Sequence, residues 1–151
     1  MGLFDFLKRR RMPKTLEDGM ASQANDFVQA FRGEGSPVPE GALDYSEESL
    51  IHVDNILDDF HRQGAALPED LHFLTSAYVF ETARRQFGGR YLRGDDENPF
   101  VLVLGEPACQ IGVLVMGKVA GRATNGEEDS IPFFYAGIAP ALAEGRDATL
   151  I

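Results

Sequence analysis

The chain has 151 residues, 44% hydrophobic and 25% charged, a globular balance that suits one domain and excludes collagen-like, fibrous and disordered classes. Fourteen Lys and Arg stand against twenty-four Asp and Glu, a net charge of −10, which argues against nucleic acid and for a basic protein as the partner. The single cysteine, Cys109, cannot form an internal disulfide or a multi-thiolate metal site, so a reducing, cytoplasmic setting is expected.

Residues 1–14 differ from the rest. Lys8, Arg9, Arg10, Arg11 and Lys14 against Asp5 make them +4 and leave residues 15–151 at −14. Their basic residues follow Leu3, Phe4, Phe6 and Leu7 instead of preceding them, so no export signal is expected. Two readings compete for this basic tail: an interfacial helix on anionic lipid, or a segment lying on the acidic domain that follows. The second is favoured, and membrane contact through residues 1–14 is disfavoured. No stretch is long enough and apolar enough to cross a bilayer.

Leu16, Met20, Ala24, Phe27 and Phe31 share one helical face, predicting an amphipathic helix over about 15–32. The Gly- and Pro-rich stretch 33–43 reads as a linker, which makes this helix an appendage to a single α+β domain over 44–151. A second helix is expected to open at Asp44 or Ser46 and to carry Leu50, Val53, Leu57 and Phe60. Gly64 and Pro68 then lead into a third helix that runs to Gly88-Gly89, giving a helical hairpin. Residues 90–93, 100–105 and 109–115 read as strands, with a turn at 105–108. A short helix over 118–124 stops at Asn125-Gly126, and a last helix carries Ile131, Phe134, Ile138 and Leu142. The expected fold is a helical hairpin and a C-terminal helix packed on a small antiparallel sheet of about three strands.

On the third helix Glu81 and Arg84 fall on the apolar side, three residues apart, and can pair. A carboxylate held there must be paired, hydrogen-bonded or protonated. It is either a structural anchor or, with Tyr78 and Tyr91 at a pocket rim, part of a ligand or partner site. Asp54, Asp58 and His61, at i, i+4 and i+7, could offer metal ligands but lack matching partners. A solvated helix face is the favoured reading there, and no metal or cofactor is expected. Cys109 reads as a small buried hydrophobe, His52 and His72 as facing water, and the acidic run 94–98 as a turn without calcium-loop spacing.

Leu43 to Leu50, Ala77 to Glu81, Phe87-Gly88-Gly89-Arg90-Tyr91, and Asn125-Gly126 with Asp129-Ser130 resemble an uncharacterised bacterial domain family of unknown function over roughly residues 43–138. The resemblance implies a small cytoplasmic protein, some relatives being immunity-type or accessory proteins. It carries over no catalytic residue. The leading expectation is a non-enzymatic binding or accessory protein that presents acidic surface to a basic protein. The alternative is a small hydrolase or anionic-ligand-binding domain using Glu81 and Arg84.

Overall fold

The protein is described by a computed structural model, which describes residues 15–151. Thr15 caps the first helix, α1 (Leu16–Ala30), by accepting from the Asp18 N–H at 3.0 Å. Met20, Ala24 and Phe27 from its apolar face are buried in the same core as the rest of the chain. The helix is therefore not the appendage expected from the linker. Its chief neighbour is the central helix, because an apolar stripe of this width must be covered. The linker is itself held down through Val38, which is buried.

Helix α2 (Leu50–Gln63) begins later than its acidic entry suggests. Residues 46–51 make a tight turn first, and the Ser49 hydroxyl shares a 2.7 Å bond with the Tyr78 hydroxyl, which draws the entry onto the next helix. Gly64 ends α2 in the left-handed conformation, and α3 (Glu69–Phe87) follows Pro68. Nine consecutive residues of α3, Thr75 to Ala83, are buried, the mark of a helix enclosed on all sides. Its polar members are compatible with this because they bond within the helix: Thr75, Ser76 and Thr82 donate to the carbonyls of Leu71, His72 and Tyr78 at 2.6, 2.8 and 2.9 Å. Helices α2 and α3 follow one another, yet the main neighbours of α3 are α1 and a later helix, α4 (Val115–Asn125).

The sheet corrects the expectation in size and direction. Strands β1 (Arg90–Arg93), β2 (Phe100–Leu104) and β3 (Ile111–Val113) pair antiparallel as expected. A fourth strand, β4 (Ala148–Leu150), pairs parallel with β3, so the sheet is mixed. Tyr91, Leu102, Val113 and Leu150 stand in one row across it. Parallel pairing needs a long crossover, supplied by α4, a 3₁₀ turn (Glu127–Asp129), α5 (Ile131–Ala136) and α6 (Ile138–Glu144). The single last helix expected from the sequence is broken at Gly137. Pro140 has no N–H to give the Ala136 carbonyl, so the helix cannot run through. Among the described residues no helix is long and apolar enough to cross a membrane.

Candidate functional sites

Glu81 is fully buried, and its carboxylate accepts three hydrogen bonds. Arg84 grips it with two bonds, Nη2 to Oε1 at 2.9 Å and Nε to Oε2 at 2.7 Å, while the Tyr91 hydroxyl donates to Oε2 at 2.7 Å. Tyr91 also donates its backbone N–H to Glu17 at 3.4 Å. The cluster thus ties α3 to β1 and α1. The hydrogen bonds Arg84 donates to Glu81 hold its proton even more tightly than usual, and burial followed by the anionic neighbour pushes the Tyr91 hydroxyl well above its ordinary range.

Tyr78 belongs elsewhere. Its hydroxyl accepts from the Tyr45 N–H at 2.9 Å and meets Ser49, and its ring stacks on Tyr45 at 4.8 Å. The four expected site residues therefore divide into a Glu81–Arg84–Tyr91 cluster and a separate Tyr78 knot that closes the linker onto the core. The four surface grooves described are lined by other residues.

A second polar centre was not legible from Asp54, Asp58 and His61 alone. Arg122 on α4 is 3% exposed and donates to Asp54 through Nε and Nη2 at 3.0 and 3.1 Å, and to Asp58 through Nη2 at 3.0 Å. Asp54 Oδ1 also accepts the Ile131 N–H at 2.9 Å, so one carboxylate holds α2, α4 and α5 together. His61 completes the stripe by bonding the Thr124 carbonyl at 3.1 Å and lying over Gly126, where an added Cβ would come within 2.7 Å of its Nε2. The stripe thus receives α4 at Asp54, which is buried, while Asp58 stays half-buried and His61 stays exposed. His72 does not simply face water, since its Nε2 lies 2.8 Å from the Met116 carbonyl. Among the described residues no group of three or more His, Cys, Asp or Glu could hold a metal ion.

Burial opposes the Arg122 charge, but the bonds to Asp54 and Asp58 outweigh it and raise its proton affinity; Arg122 in turn holds Asp58 below the usual carboxylate range. A carboxylate lowered in the folded state adds stability above its unfolded pKa, and loses that contribution as pH falls through the folded value. Acid titration of unfolding should therefore show stability dropping below about pH 4, with a shallower drop for Asp58→Asn. Equal slopes for the two proteins would exclude Asp58 as a contributor. Arg122 Nη1 is buried without a partner, which reduces the net gain from the network.

Two adjoining grooves lie on the far side of α4. The larger, about 670 Å³, runs between the acidic loop at 95–98 and α4, with Gly117 and Gly121 in its wall. Asn98 bonds the Gly117 N–H at 2.9 Å, and a Cβ on Gly121 would sit 2.6 Å from Asp129 Oδ2. The smaller, about 310 Å³, is lined by Phe133, Phe134, Leu150 and Glu128 and shares Lys118 with the first. Phe133 is 82% exposed. Cys109 is buried beneath the 105–108 turn, as its apolar context suggested. No family model, curated protein or solved structure matches this chain.

Proposed function

We propose that the protein is a non-enzymatic, cytoplasmic binding or accessory protein that engages a basic protein through acidic surface, with Phe133 at the centre of the contact. The reading takes in the resemblance to small uncharacterised bacterial domains. The observation that carries it is the placement of Phe133, 82% exposed, in a groove with Glu128 and beside one that includes Asp95 and Glu97, the shared Lys118 being paired with Asp129. Exposed aromatics of this size, rimmed by charge, are common at protein interfaces.

The charge inventory supports the same reading. Of the nine Lys and Arg in residues 15–151, six (Arg62, Arg84, Arg90, Lys118, Arg122 and Arg146) are used in internal ion pairs. Sixteen of the twenty-three carboxylates have no cationic partner among the described residues. Such a surface speeds encounter with a basic partner and rejects acidic ones.

Affinity capture by the wild-type chain and by a Phe133→Ser/Glu128→Lys variant tests this. The wild type should retain a basic partner that the variant loses at equal folded stability, and retention should fall on going from about 0.05 to 0.5 M salt as exposed charges are screened. Capture that is indifferent to both the variant and salt rejects the proposal.

A further inference from the structure

An apolar groove opens at the start of α1. It measures about 530 Å³ and is lined chiefly by Leu16, Gly19, Met20, Gln23, Phe73 and Phe100. Leu16, Gly19, Met20 and Gln23 share a helical face at i, i+3, i+4 and i+7, and the exposed Asp26 continues it. On α3, Glu69 precedes Phe73 by one turn on the same face and is also exposed, with Asp70 beside it. None of these three carboxylates has a cationic partner among the described residues. The groove therefore has an apolar floor, with these carboxylates beyond its lining residues and Arg93 over the Phe100 ring at 5.2 Å.

Residues 1–14, outside the described residues, carry the complementary chemistry: Leu3, Phe4, Phe6 and Leu7, then Lys8, Arg9, Arg10, Arg11 and Lys14. They join the fold at Thr15, which itself lines the groove. Residues 8–14 can span up to about 24 Å when extended, whereas Thr15 to Gln23 rises only about 12 Å along α1. The apolar block can thus reach any point of the floor. We propose that residues 1–14 dock in this groove, with Leu3 to Leu7 against Met20, Phe73 and Phe100 and the basic run against Asp26, Glu69 and Asp70. Tethering favours this site over any surface met from solution, because a short flexible link gives an effective concentration in the millimolar range.

Two double-cysteine forms of the full chain test the placement, with buried Cys109 left in place. Asp5→Cys is combined either with Gln23→Cys, on the groove face, or with Asn25→Cys, equally close along α1 but turned about 160° away. On mild oxidation the Gln23→Cys pair should close an intramolecular disulfide about tenfold faster or more, reflecting the raised local concentration. Adding Asp26→Lys and Glu69→Lys should bring its rate down to that of the Asn25→Cys pair. Equal rates for the two pairs, disulfides formed mainly between molecules, or flotation of the wild-type chain with phosphatidylserine vesicles at physiological salt would each overturn the proposal.

Discussion

Replacing Arg122 with methionine should lower the free energy of unfolding by about 3–5 kcal/mol, the cost of breaking a buried ion pair from one side. Methionine fills much of the same volume, so the loss is electrostatic rather than a cavity effect. Asp54 would stay buried with only the Ile131 N–H as a donor, whereas Asp58, 27% exposed, can turn to water. Adding Asp54→Leu removes the stranded charge and should recover part of the loss. Recovery stays incomplete because the Ile131 N–H then has no acceptor, a deficit of about 1–3 kcal/mol. Urea denaturation reads both steps; an unchanged midpoint for Arg122→Met would show that the network contributes nothing net.

Glu81→Ala should cost about 3 kcal/mol, near the top of the range for stranding buried polar groups. The two donors left behind differ. Arg84 is 30% exposed and can find water, but Tyr91 is 4% exposed and its hydroxyl cannot. Tyr91→Phe in the Glu81→Ala background should therefore restore about 1–2 kcal/mol, while the same change in the wild type should destabilise. That sign reversal separates a structural carboxylate from one whose removal leaves the core indifferent. If Tyr91→Phe has the same sign in both backgrounds, the bond from Tyr91 to Glu81 is not the link between β1 and α3.

The stretches that form helices and strands were legible because they rest on local periodicity and on stop residues. Met20, Ala24 and Phe27 repeat at helical spacing, Gly64 and Gly126 close α2 and α4, and β1, β2 and β3 fall where apolar, β-prone runs lie between turns. The Glu81–Arg84 pair was legible for the same reason, since partners three residues apart meet on any helix. Strand β4 was not, because three residues carry no period and become a strand only by pairing with β3. The expected last helix rested on the apolar spacing of Ile131, Phe134, Ile138 and Leu142 alone, which carries no sign of the break at Gly137.

Arg122 shows where sequence reasoning stopped. It follows Val119 by three residues on the buried face of α4, and that spacing was the available signal; Val115, expected to end a strand, opens the same helix. A lone arginine in a short helix nonetheless reads as solvent-facing until its partners are known, and Asp54 lies 68 residues earlier. Tyr91 likewise gives no local hint that its hydroxyl seals Glu81. The sequence by itself determined the α+β class, the places of the main elements, the charge imbalance and the Glu81–Arg84 pair, all properties of neighbouring residues or of simple counting. Only the tertiary structure decided that α1 is core, that the sheet is mixed, and that Asp54, Asp58 and His61 receive α4, because a buried charge is tolerable only where distant segments bring its partners within hydrogen-bonding distance.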